Sequence, residues 1–168
     1  MTCFGITGPP GAGKTSVRLQ LAERLSAVSL DIIDFFKAET AFSDEDRWLA
    51  YQQMLSEVEC ALIQQRHVVL EAFLFRPQRL NALREVCDRH DSRLVLVFLT
   101  GKSSVLLDRV HGRSKGRFST DVSDQGIGRF LSEFEGMEAD IGIDTSDKSV
   151  AEVVDCILKR GSKWTKKA

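Results

Sequence analysis

The chain has 168 residues, 43% of them hydrophobic, enough for one substantial core but short of two at about 100 to 200 residues per domain. Its 23 Lys and Arg stand against 24 Asp and Glu, so the formal charge of −1 gives no bulk attraction to nucleic acid or anionic lipid, and any anion binding must be local. There is no basic-flanked apolar leader and no run of about 18 apolar residues, so a cytoplasmic domain without membrane contact is expected. In chain order, Cys3 to Thr7 reads as a first strand, followed by a helix on which Val17, Leu19, Leu21, Ala22 and Leu25 recur. Val28 to Ile33 reads as a second strand. Ser43 before Asp44, Glu45 and Asp46 predicts a capped helix start, and Trp48, Tyr51, Leu55, Val58 and Leu62 continue the helical spacing to Gln65. His67 to Phe73 and Arg93 to Leu99 read as strands apolar on both faces, a pattern that requires helices on both sides of a parallel sheet. Between Arg109 and Met137 the apolar pattern thins while Gly112, Gly116, Gly126, Gly128 and Gly136 accumulate, which predicts a mobile lid. Ile141 to Ile143 reads as a fifth strand. Asp147 or Ser149 then caps a last helix with Val150, Val153, Val154, Ile157 and Leu158 as its buried stripe and Gly161 at its end. The expected class is α/β, a single domain with a doubly wound, five-stranded parallel sheet. Cys3, Cys60, Cys87 and Cys156 sit in separate apolar stretches, which predicts four buried thiols rather than disulfides or a zinc site.

The segment Gly8-Pro9-Pro10-Gly11-Ala12-Gly13-Lys14-Thr15 fits G-x-x-x-x-G-K-[ST] and lies between a predicted strand and a predicted helix, the context this motif requires. A glycine-rich turn lets consecutive backbone N–H groups converge on phosphate oxygens, and the positive helix N-terminus adds to the attraction. Gly8, Pro10, Gly11, Ala12, Gly13, Lys14, Thr15 and Ser16 are therefore the expected nucleotide contacts. Lys14 reaches the β- and γ-phosphates, and Thr15 supplies a hydroxyl to Mg²⁺. Neither an Asp-x-x-Gly switch nor an Asn-Lys-x-Asp guanine-reading loop is present, which argues against a GTPase.

With this cradle near the N-terminus, the sequence resembles the small P-loop kinases of the AAA type, related to adenylylsulfate kinase, gluconate kinase, chloramphenicol phosphotransferase and polynucleotide kinase. The resemblance spans nearly the whole chain and implies a P-loop NTP hydrolase fold, ATP and Mg²⁺ as cofactors, and a hydroxyl acceptor. Leu30-Asp31-Ile32-Ile33-Asp34-Phe35-Phe36-Lys37 is similar to the end of the family's second strand, where an Asp acts as general base on the acceptor and a basic residue three positions on helps hold it. Asp34 and Lys37 match. Asp31 competes with Asp34, because on a strand two residues three apart face opposite sides, so at most one should face the phosphate.

Arg47, in Phe42-Ser43-Asp44-Glu45-Asp46-Arg47, resembles an acceptor contact of the same kinases, and the segment also reads simply as an acidic helix start. Glu71, ending the third strand, matches the family's Mg²⁺-orienting acid. Phe75-Arg76-Pro77-Gln78-Arg79 looks like the turn after that strand, so Arg76 or Arg79 is an acceptor contact by resemblance. Leu106-Leu107-Asp108-Arg109-Val110-His111-Gly112-Arg113, continued to Arg117, resembles the lid entrance, which implies Arg113 and Arg117 on phosphate and Arg109 on adenine. Asp140 to Ser146 with Ser149 to Glu152 resembles the closing signature that edges the adenine pocket. The loop between Asp34 and Phe42 is shorter than in adenylylsulfate kinases, and Phe36 stands where gluconate kinases carry His, so the acceptor stays open.

The favoured expectation is an ATP-dependent kinase for a small-molecule hydroxyl, acting as a monomer or homodimer. A polynucleotide 5′-kinase or toxin-like kinase on a larger acceptor, and a nucleotide-binding module without transfer, are the alternatives. Balanced charge with one Tyr and two Trp speaks against a nucleic-acid groove.

Overall fold

The computed structural model describes residues 1–36, 43–74, 76–112, 128, 132, 134 and 138–162. Strands β1 (Thr2–Thr7), β2 (Val28–Asp31), β3 (Val68–Glu71), β4 (Arg93–Thr100) and β5 (Ile141–Asp144) form one parallel sheet in the order β2-β3-β1-β4-β5. Helices α1 (Lys14–Leu25), α2 (Asp44–Ile63), α3 (Pro77–Arg89), α4 (Ser103–His111) and α5 (Val150–Ser162) connect and follow them.

The period of two along the strands sorts side chains into two cores. Phe4, Ile6, Val69, Val95, Val97, Leu99, Ile141 and Ile143 face α1 and α5, whereas Cys3, Val68, Leu70 and Leu96 face α2 and α3. Burial of both faces explains the uninterrupted apolar runs of β3 and β4. Ser43 caps α2 as expected, exchanging bonds with Asp46, and Ser149 makes the equivalent exchange with Glu152 ahead of α5.

Several expectations are corrected. β2 ends at Asp31, because Ile32–Phe35 turn into a one-turn 3-10 helix capped by the Asp31 carboxylate, which accepts from the Ile33 N–H at 3.1 Å. α5 continues through Gly161 to Ser162. Leu19 is exposed, and its place on the buried face of α1 is taken by Arg18. Cys60 is exposed and Cys156 half-buried; only Cys3 and Cys87 are core thiols, and all four are free. Arg109 to His111, placed in the lid by sequence, complete α4. Residues 113–127 lie outside the described set, and Phe134 beyond them is buried against Phe98 of β4, ring centroids 4.9 Å apart.

α1 leaves β1 on one face and α3 leaves β3 on the other. The crevice between the carboxyl ends of these neighbouring strands is where open α/β sheets receive ligands.

Candidate active site

The loop after β1 is built from backbone that side chains rarely adopt. Gly11 and Gly13 take φ of 81° and 82° and Gly8 takes 151°. A Cβ on Gly8 would overlap the carbonyl of Leu99, and one on Gly11 the carbonyl of Leu106. The loop is thus braced against β4 and α4. Ala12 is packed into the core beneath it, Pro10 is half-exposed, and Gly13 is the N-cap of α1. The first turn of α1 carries no acidic side chain to offset its positive end. Lys14 Nζ arches back to donate to the Pro9 carbonyl at 3.0 Å and lies 3.9 Å from Glu71 Oε1.

Register brings the acidic groups to this loop. Ile6 of β1 pairs with Glu71 of β3, which in turn pairs with Asp31 of β2, so both carboxylates end neighbouring strands on the face that α1 covers. Thr15 Oγ1 donates to Glu71 Oε2 at 2.9 Å. Arg18, one turn further along α1, donates to Ser29 Oγ at 2.6 Å and to Asp31 Oδ2 at 3.1 Å, with Nε 3.7 Å from Glu71 Oε2. Burial pushes the Glu71 carboxyl above its ordinary range; Lys14, Thr15 and Arg18 pull it back, while Asp31 adds to the rise. A largely buried carboxylate bonded to an exposed threonine hydroxyl offers two oxygens suited to a hard oxygen-seeking cation such as Mg²⁺. Among the described residues no group of three or more His, Cys, Asp or Glu forms a metal cage, and a phosphate-borne Mg²⁺ needs none.

The rivalry between Asp31 and Asp34 takes a different form from the one strand alternation suggested. Asp31 is buried and committed to Arg18 and to the Ile33 N–H, whereas Asp34 is exposed on the 3-10 turn. Arg18 drew no notice in the sequence. Its signal was there: by the helical period Arg18 shares a face with Leu21, Ala22 and Leu25, and a charge on an otherwise apolar face demands a partner.

On the other side of the cradle, a cavity of about 440 Å³ is lined by Gly13, Ser16, Val17, Arg109, Thr145 and Val150 among others. Arg109 ties its wall together, donating to Thr145 Oγ1 at 3.0 Å, to the Thr145 carbonyl at 2.8 Å and to the Ser146 carbonyl at 3.3 Å. Ser16 and Arg109 therefore line the same cavity.

The expected acceptor residues start from two helix ends at the carboxyl edge of the sheet. Arg47, in the first turn of α2, lies 3.6 Å from Asp44. Arg76 is the exposed N-cap of α3, and Arg79 sits half-buried one turn along, its guanidinium carbon 5.8 Å from the Tyr51 ring centroid and 5.9 Å from that of Phe73. Lys37, Arg113 and Arg117 lie outside the described residues.

A sequence model described as an AAA domain matches residues 4–137, which takes in the cradle, both carboxylates and α4. The chain belongs to the AAA domain family. No curated protein matches it in sequence. Among solved structures, this AAA domain is similar to a sugar kinase from Janibacter sp., at 15% identity over 96% of this chain and 95% of that one, with a TM-score of 0.72. A gluconokinase from Sinorhizobium meliloti shows 20% identity over 97% and 93%, TM-score 0.73. A shikimate kinase from Acinetobacter baumannii, solved with shikimate, shows 18% over 99% and 96%, TM-score 0.66. The AAA domain thus has the fold of the small P-loop kinases, and among its described residues no helix is long and apolar enough to cross a membrane.

Proposed function

We propose that this protein is an ATP-dependent kinase that transfers the γ-phosphate to a hydroxyl of a small molecule. The reading rests above all on the crevice between β1 and β3, where the Thr15–Glu71 pair sits beside the phosphate cradle; Asp34, exposed on the 3-10 turn after β2, is the carboxylate this scheme brings to the acceptor. In this scheme the cradle N–H groups and Lys14 hold the triphosphate, and the 440 Å³ cavity beside Arg109 takes the base. Mg²⁺, held through Thr15 and Glu71, would neutralise charge on the phosphates. The acceptor oxygen attacks Pγ as Asp34 takes its proton. The bond from Pγ to the bridging oxygen breaks, and ADP leaves with that electron pair. A pure binding module would need neither Asp34 nor a buried carboxylate kept beside Thr15. The sugar, gluconate and shikimate kinases sharing the fold support a small acceptor.

The test is ADP release from MgATP across a panel of hydroxylated metabolites. At least one should raise ADP release about a hundredfold or more over the water background, the scale of a positioned general base. Tight ATP binding with no acceptor-dependent ADP release from any compound would overturn the kinase in favour of the module.

A further inference from the structure

The cavity beside Arg109 lacks what a site needs to single out adenine. Adenine differs from guanine and hypoxanthine at position 6, where an amino donor stands in place of a carbonyl acceptor. A wall that selects adenine must offer an acceptor to that amino group. One that selects guanine must offer a carboxylate or amide to its N1–H and 2-amino groups.

The described residues that line the cavity include no carboxylate and no amide side chain. Of their three hydroxyls, Thr145 Oγ1 donates to the Thr100 carbonyl at 3.0 Å and accepts from Arg109. Ser149 Oγ donates to Glu152 Oε2 at 2.8 Å and accepts from the Glu152 N–H at 3.3 Å. Ser16, next to Thr15 in the first turn of α1, belongs to the phosphate end. The Thr145 carbonyl on the same wall already receives Arg109 Nη2 at 2.8 Å and the Lys148 N–H at 3.4 Å, which uses both of its lone pairs.

What the rim does offer is a donor. Lys148 lines the cavity from an exposed position two residues before α5, and among the described residues no carboxylate lies within 4 Å of its ammonium. Lys102, in the neighbouring loop, is by contrast held by Asp147 at 3.3 Å. An ammonium has three donors and no acceptor, so it serves a 6-carbonyl or a ring nitrogen and offers nothing to a 6-amino group. The other contacts, from Val17, Val150, Val153 and the guanidinium plane of Arg109, act through area and stacking, which every purine satisfies alike. The chain also lacks an Asn-Lys-x-Asp loop, so nothing there separates guanine from hypoxanthine.

Resting on the kinase reading above, we propose that the base cavity does not select adenine: the protein uses GTP and ITP as phosphate donors as readily as ATP, and Lys148 is the residue that admits the 6-carbonyl purines. The transfer itself is the same with each donor. The acceptor oxygen bonds to Pγ as its proton passes to Asp34, the bond from Pγ to the bridging oxygen breaks, and GDP or IDP leaves with that electron pair.

Affinities of non-hydrolysable ATP, GTP and ITP analogues, measured calorimetrically with Mg²⁺ and no acceptor, test this. Wild type should bind the GTP and ITP analogues within about fivefold of the ATP analogue, or more tightly. Lys148→Met keeps the length of the side chain without its charge. It should raise the Kd of the GTP and ITP analogues at least about fivefold more than that of the ATP analogue, and Lys148→Arg should behave like wild type. Because ratios within one variant are compared, a uniform effect on the triphosphate cancels. A wild-type preference for ATP of more than about fivefold over either analogue, or a Lys148→Met change short of that discrimination, would overturn the inference. Transfer is read separately, as NDP release from each triphosphate with an acceptor found in the panel. ATP-selective binding with acceptor-dependent ADP release would leave the kinase standing without the tolerant cavity; equal binding of the three without transfer from any would leave the cavity without the kinase.

Discussion

Asp31 and Asp34 are three residues apart and of one chemical type, yet their surroundings assign them different tasks. Asp31 is 7% exposed and holds the Arg18 guanidinium, which spans from β2 to Glu71 on β3. Removing its charge leaves Arg18 the Ser29 hydroxyl and, as carboxylate among the described residues, only Glu71 at 3.7 Å. Breaking a buried pair from one side costs about 3–5 kcal/mol, so Asp31→Asn should lower Tm by about 10 °C in a chain of this size. Asp34→Asn should leave Tm and ATP affinity unchanged and cut transfer about a hundredfold, because Asn cannot take the acceptor's proton. Thermal melts and single-turnover assays on the two variants check both statements; a fall in turnover with unchanged Tm for Asp31→Asn would reverse the assignment. The sequence showed that two acids stood here but not which was committed, since the deciding partner, Arg18, arrives from another element.

The cradle shows how a single element mixes two kinds of glycine. At Gly8 a Cβ meets the backbone of β4, which cannot yield; at Gly13 there is open space, and only the left-handed φ of 82° opposes a side chain. Gly8→Ala should therefore destabilise the fold by about 3 kcal/mol or more, as a buried backbone clash must be relieved by moving the strand. Gly13→Ala should cost about 1–2 kcal/mol, the usual penalty for a side chain in that region. Urea denaturation of the two variants separates them, and equal losses would contradict the bracing by β4. The motif made the cradle legible without any structure, because its residue types follow from phosphate chemistry alone. The 3-10 turn after β2 was not legible: Ile32 and Ile33 are strong strand formers, and the turn is set by the Asp31 carboxylate accepting from the backbone.

At the scale of the whole molecule, the five strands and their class could be read because a doubly covered parallel sheet writes itself as continuous apolar runs. The order β2-β3-β1-β4-β5 could not, since pairing is a long-range choice that no local pattern encodes. That order places β3 between β1 and β2, and so sets Glu71 beside Thr15 and within reach of Lys14. A ligand bound over Lys14 therefore touches groups carried by β1, α1 and β3 at once, and its binding energy should appear as stability of the whole domain rather than of one loop. At an ATP-analogue concentration of 100 Kd the gain is about 2.7 kcal/mol, which for a domain of this length corresponds to a rise in Tm of about 5–10 °C. In the proposed scheme, Lys14→Ala removes the point charge over the β- and γ-phosphates. A thirtyfold loss of affinity would leave about 0.9 kcal/mol of stabilisation at the same concentration, a rise of about 2–3 °C. The readout is the ligand-induced shift of each variant against its own ligand-free melt, because Lys14 also lies near the buried Glu71 and its loss alters the starting stability. Equal shifts for wild type and Lys14→Ala would mean that the triphosphate does not lie over this lysine, and the placement of the nucleotide in the cradle would fall with it.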